Sequence, residues 1–228
     1  MSRMVGVETD TRRTAHVPLS GPGALHCEFL HRLTCTNSHP WPRDASRAGL
    51  ASSMGIRNYL IEGVSGTGKT SVFRELRRRG YHAINGDTEL AYQGDPITGE
   101  PLDGLTHEHH IWHLEKVRAL VADRDEPVTF FCGGSRNFPA FIELFDEVFI
   151  LDVDRDTLQR RLDERGDNEW GGKPQERQLI ERLHRTREDL PDTGVVVDAT
   201  APIARVVDDI VRHAGASRLV TRHRAKPS

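Results

Sequence analysis

The stretch Gly63-Val64-Ser65-Gly66-Thr67-Gly68-Lys69-Thr70 restricts what this chain can fold into more than any other part of it. Its spacing is G-x-x-x-x-G-K-[ST], a loop that wraps a polyphosphate when a strand feeds it and a helix leaves it. Both neighbours are present. Residues 58–62 form a short apolar run, and residues 71–80 keep a helical pattern closed by a glycine. Glycines let the backbone turn its N–H groups inward around an anion. The N-terminus of the following helix adds partial positive charge. The lysine reaches the β- and γ-phosphates, and the hydroxyl after it suits Mg²⁺. The expected nucleotide is ATP, held by Gly63, Ser65, Gly66, Thr67, Gly68, Lys69, Thr70 and Ser71, with Thr70 as the expected Mg²⁺ ligand.

A chain of 228 residues holds one domain with a sizeable core and something to spare. The formal net charge of -3 gives no electrostatic case for nucleic acid or an acidic membrane. No apolar run reaches spanning length, and the start lacks the apolar core of a secretory signal. Cys27, Cys35 and Cys132 do not suggest a disulfide framework, so a reducing cytoplasm is the expected setting.

Residues 1–54 mix Pro, Ser, Thr, Arg and His without periodicity and read as a disordered extension. His26, Cys27, His31, Cys35 and His39 are metal-capable residue types there, but their spacing matches no zinc pattern. Residues 55–215 read as the organised domain and 216–228 as a basic flexible tail. Within the domain, strands are expected at 58–62, 81–85, 127–132, 147–153 and 194–198. Helices are expected at 71–80, 107–123, 138–145, 155–165, 175–190 and 202–214, with a loop at 95–101. The 107–123 helix opens with His107, His109, His110 and His113. On a helix, His109 and His113 would share a face, as a metal pair or as a polar end lining a pocket. Alternating strands and helices predict an α/β fold: a parallel five-stranded sheet flanked by helices, with ligands at the carboxyl ends of the strands.

In this order of elements, residues 55–215 resemble the small P-loop kinases of nucleosides, nucleotides and other metabolites, AAA-type ATP-binding chains. Shikimate kinase, gluconate kinase and adenylate kinase are typical members. The resemblance implies a nucleotide-kinase-like fold with a small helical lid. It also implies transfer of the γ-phosphoryl of ATP to a hydroxyl or phosphate of a metabolite. Gly86-Asp87-Thr88-Glu89 is similar to the turn that carries an acceptor-side aspartate, so Asp87 would orient or deprotonate the acceptor and help hold Mg²⁺. Gly133-Gly134-Ser135-Arg136-Asn137 is similar to the acceptor-holding glycine turn. It implies that Gly133 and Gly134 allow close approach while Arg136 grips a carboxylate or phosphate. Arg160, Arg161 and Arg165, before Gly166-Asp167-Asn168-Glu169-Trp170-Gly171-Gly172, look like a lid. Arg161 and Arg165 would then join Lys69 and Asp87 as catalytic residues. The loop Asp198-Ala199-Thr200-Ala201-Pro202 implies an adenine contact at Thr200.

Two departures accompany the resemblance. The third strand ends in Cys132-Gly133-Gly134, where many members have an aspartate, and Trp170 to Pro174 does not match a shikimate-kinase lid. The expected partner is a small-molecule acceptor, with no nucleic acid and no membrane, in a monomer or dimer. The alternative is a regulatory P-loop ATPase or switch without an acceptor.

Overall fold

The structure is a computed structural model that describes residues 56–216. The expected extension at 1–54, with its histidines and its cysteines Cys27 and Cys35, lies outside the described residues, as does the tail from 217. Ala216, expected as the first residue of that tail, is fully buried in the core.

Five strands make the main sheet: β1 (Arg57–Glu62), β2 (His82–Asn85), β5 (Val128–Cys132), β6 (Glu147–Asp152) and β7 (Val195–Asp198). Their order is β2-β5-β1-β6-β7, and every pairing is parallel. β1 lies at the centre because its side chains are apolar on both faces. Tyr59, Leu60 and Ile61 are almost completely buried, and Tyr59 Oη donates to the Ala214 carbonyl at 2.8 Å. Such continuous apolar runs suit strands covered on both sides. Ile61 lies opposite Cys132, Glu62 opposite Ile150, Asn85 opposite Cys132 and Asp152 opposite Asp198, so the polar strand ends gather on one edge.

Among the described residues six α-helices flank the sheet or its edges: α1 (Lys69–Arg78), α2 (Gly86–Glu89), α3 (Leu114–Ala122), α4 (Arg155–Asp163), α5 (Pro174–Thr186) and α6 (Ile203–His213). α6 buries Val206, Val207, Ile210 and Val211, one stripe at helical spacing. α4 begins at the capping carboxylate of Asp154, which accepts the Thr157 N–H at 2.7 Å. The expected 138–145 helix is two short 3₁₀ turns, Phe138–Ala140 and Ile142–Leu144, around Pro139. Among the described residues no helix is long and apolar enough to cross a membrane.

The expected helix at 107–123 is corrected. Its first part is β4 (His110–Trp112), which pairs antiparallel with β3 (Ala91–Gln93), and α3 starts only at Leu114. Tertiary contacts decide this. Ile111 and Trp112 are both fully buried, and on a paired strand these adjacent side chains point to opposite faces. The Trp112 backbone N–H reaches Ser135 Oγ at 3.1 Å and Asn137 Oδ1 at 3.0 Å, while Asn137 Nδ2 donates back to the Trp112 carbonyl. His109 and His113 therefore share no helical face. His113 precedes α3 and stacks on Tyr92, centroids 3.9 Å apart.

The Trp112 ring needs glycine just past the ends of β2 and β5. A Cβ at Gly86 would lie 1.9 Å from its Cζ2, and one at Gly133 would lie 2.7 Å from the same atom.

Candidate active site

The loop between β1 and α1 closes on itself. Thr67 donates its N–H and its hydroxyl to the Val64 carbonyl, at 3.1 and 2.8 Å, and is buried. Gly66 and Gly68 have φ of 96° and 109°, the left-handed region, which turns successive amides toward a common centre. Lys69, the first residue of α1, donates its ammonium to the Gly63 carbonyl at the loop mouth. Thr70 and Ser71 are exposed on the same first turn.

The two lid arginines divide. Arg165 Nη1 reaches Ser65 Oγ at 3.1 Å and the Trp170 carbonyl at 2.5 Å, and its side chain lines the cavity described below. Arg161 binds the outside of the loop. Its guanidinium donates to the carbonyls of Gly66 (3.2 Å), Thr67 (3.0 Å) and Ala199 (2.8 Å), and it is not among the cavity-lining residues. The Arg161–Ala199 bond ties the phosphate loop to the turn that carries Thr200. Thr200 donates to Asp198 Oδ1 and is exposed. Between α4 and α5 the lid tip is a glycine turn, pinned where Gly171 N–H meets Glu176 Oε2 and Arg177 Nε meets the Gly171 carbonyl.

Asp87, in the one-turn helix after β2, faces the loop across the strand ends. Its Oδ1 accepts the Gly134 N–H at 3.1 Å and lies 3.3 Å from His110 Nε2. Burial opposes its charge, but the His110 contact, the Lys69 charge and the Gly134 N–H outweigh it and hold the carboxyl below its ordinary value. A Cβ at Gly133 would come within 2.8 Å of Asp87 Oδ1, so the glycine that follows β5 is what lets this carboxylate in.

A second carboxyl lies beside it. Glu62 ends β1, is 1% exposed, and accepts the Gly63 N–H at 3.1 Å. A Cβ at Gly134 would lie 3.3 Å from its Oε2. Burial pushes this carboxyl up to about 7, against the pull of Lys69 and Arg136. The folded state thus keeps a proton that the unfolded state loses between about 4.5 and 7. Stability should fall as pH rises through that window and stay level above it. Glu62→Gln is expected to remove this fall and to be the more stable protein at pH 8, by on the order of 3 kcal/mol. Urea unfolding at pH 5 and pH 8, without nucleotide, measures it. An unchanged pH 5 to pH 8 difference in the variant would refute the assignment.

Lys69, Asp87 and Arg165 line one cavity of about 570 Å³. The phosphate loop contributes Gly63, Val64, Ser65 and Lys69; the opposite end holds Asp87, His110, Gly134 and Arg136. Leu105, Trp170, Ile180, Leu183 and Leu190 form much of the remaining wall. Arg136 is ion-paired with Asp189, and His107 Nε2 lies 2.5 Å from the same carboxylate. Burial opposes the Asp189 charge, but His107 and Arg136 hold its carboxyl below its ordinary value.

The structure thus brings together Lys69, Asp87, Gly134, Arg136 and Arg165. Sequence reasoning missed Glu62, His107 and His110 as site residues, Asp189 and Trp170. An acid closing an otherwise apolar strand was the available signal for Glu62. Asp189 carries none, because it meets its partners only through the fold. Among the described residues no group of three or more His, Cys, Asp or Glu side chains could hold a metal ion.

The fold is similar to several solved kinases. A sugar kinase from Janibacter sp. shares 19% identity, over 72% of this chain and 98% of that chain, with a TM-score of 0.47. A gluconokinase from Sinorhizobium meliloti shares 21%, over 73% and 94%, at 0.43. Shikimate kinase from Bacteroides thetaiotaomicron shares 13%, over 70% and 98%, at 0.44. No curated protein matches the chain. The AAA domain matches residues 60–188, more than half of the sequence, from within β1 to just past α5, so the chain belongs to the AAA domain family.

Proposed function

We propose that the protein is an ATP-dependent small-molecule kinase, transferring the γ-phosphoryl group to a hydroxyl or phosphate of a metabolite. One observation carries this reading: the phosphate-loop lysine and the Asp87 carboxylate line the same cavity, so donor and acceptor can share one space. Phosphoryl transfer demands positioning and charge neutralisation more than a strong base. The loop amides and Lys69 hold the β- and γ-phosphates. Arg165, drawn over the loop by Ser65, neutralises the group in flight. Arg161 holds the loop in shape through its carbonyl bonds and joins it to the Thr200 turn, where the adenine packs. Asp87, fixed by Gly134 and His110, orients the acceptor and takes the proton of its hydroxyl.

Mg²⁺ fits the donors available, which are hard oxygens: the exposed Thr70 hydroxyl and the Asp87 carboxylate. Thr70 and Asp87 would hold the ion together with the nucleotide phosphates, and the bound ion would supply charge neutralisation. A cytoplasmic setting and a monomer or dimer complete the proposal. A regulatory ATPase would not need the roomy acceptor end.

The test is a reaction of the full chain with ATP, Mg²⁺ and a metabolite mixture, followed by ³¹P NMR. A phosphorylated metabolite formed in step with ADP is expected. ADP formed at the same rate with and without metabolites would overturn the reading.

A further inference from the structure

We propose that the acceptor is an uncharged hydroxyl compound with a flat ring face, of nucleoside type, and not a hydroxy acid or a phosphorylated metabolite. The proposal rests on the kinase reading and narrows it. Its first ground is the state of Arg136, the cation at the acceptor end. Its guanidinium is spent on Asp189, with a second N–H 3.4 Å from the Asp189 main-chain oxygen. Both side chains are largely buried, at 14% and 17% exposure. An arriving carboxylate would have to displace Asp189, which is also held by His107, and take away its guanidinium partner in a half-buried site. An acceptor phosphate meets the same obstacle. The other cations of the cavity, Lys69 and Arg165, sit at the phosphate-loop end, where the transferred group belongs.

The second ground is the charge beside the acceptor. Asp87 lines the cavity at Gly134, whose N–H its Oδ1 accepts at 3.1 Å. Its carboxylate disfavours an anion there and suits hydroxyl donors.

The third ground is the wall. The rings of His107 and Trp170 both line the cavity and lie parallel, 9° between planes, with centroids 5.9 Å apart. Beside them stand Ile180, Leu183 and Leu190. Flat faces next to aliphatic side chains favour a planar ring over a free sugar. Gln93, its amide oxygen fixed by the Thr106 N–H at 2.9 Å, adds a polar edge for a heterocycle. In the reaction, a nucleoside hydroxyl oxygen bonds to the γ-phosphorus, its proton passes to Asp87, and the γ-phosphorus–oxygen bond to ADP breaks.

Two measurements on the full chain test this. Adenosine, thymidine, ribose, gluconate, shikimate and adenosine monophosphate are titrated by calorimetry and by tryptophan fluorescence, with a non-hydrolysable ATP analogue present. The same six are then offered with ATP and Mg²⁺. At least one nucleoside is expected to bind at least tenfold more tightly than ribose, either acid or the monophosphate, to quench fluorescence, and to be phosphorylated. Trp170→Phe should lose most of that quenching. Asp189→Asn should free Arg136 and raise acid affinity at least tenfold. If an acid, ribose or the monophosphate is phosphorylated with the highest kcat/KM, the acceptor assignment falls and the kinase reading stands. If a nucleoside binds as described and nothing is phosphorylated, the kinase reading falls and the ligand class stands. Binding of none of the six overturns the acceptor assignment.

Discussion

Replacing Asp87 by asparagine is expected to lower kcat by about 10²–10⁴-fold, the range for losing a positioned proton acceptor. ATP affinity should change by less than about threefold, because the loop amides and Lys69 carry nucleotide binding. Asparagine keeps the shape, and its amide oxygen can still accept the Gly134 N–H that the carboxylate now accepts at 3.1 Å. What disappears is the negative charge beside the acceptor and beside His110. An effect on kcat that exceeds the effect on acceptor KM marks an interaction made in the transition state. Steady-state kinetics with a phosphorylated acceptor, together with nucleotide titration, measures both. Full turnover in the variant would place the acceptor chemistry elsewhere.

Lys69→Ala should have the second large effect, a loss of at least about 10³-fold in phosphoryl transfer, with the fold intact. The side chain ends on the carbonyls of Gly63 and Val64 at the loop mouth and supports no core contact, so its removal leaves the sheet untouched. In water-poor surroundings its charge opposite the phosphates is worth far more than on the surface. The melting temperature should stay within a few degrees of the parent while transfer disappears. Wild-type turnover in a folded variant would mean that the phosphates bind away from this loop.

The phosphate loop was legible because all its work is local. The chain needs left-handed φ at Gly66 and Gly68, a lysine one residue on, and a helix beginning there, and all of that is written in consecutive residues. The parallel sheet was legible for a related reason, since β1, β5 and β6 are short apolar runs that solvent excludes. The stretch from His107 misled because apolar spacing from Ile111 onward suits a helix equally well. Pairing with β3 and the hydrogen bonds that the Trp112 N–H donates to Ser135 and Asn137 decided otherwise, and those partners lie some twenty residues away along the chain.

Arg136 gives the same lesson at the site. Its place after β5 was readable, and its charge suggested a grip on an anionic acceptor. The fold gives that charge to Asp189, 53 residues later, and adds His107 to the same carboxylate. Glu62 closes the apolar run of β1, and only the fold buries it beside the turn at Gly134. Sequence by itself determined the nucleotide end of this protein, because a backbone cradle for phosphate depends on φ and ψ that neighbouring residues dictate. Only the tertiary structure decided the acceptor end, because pairing, burial and the charge left over there depend on which distant side chains the sheet edge and lid bring into contact.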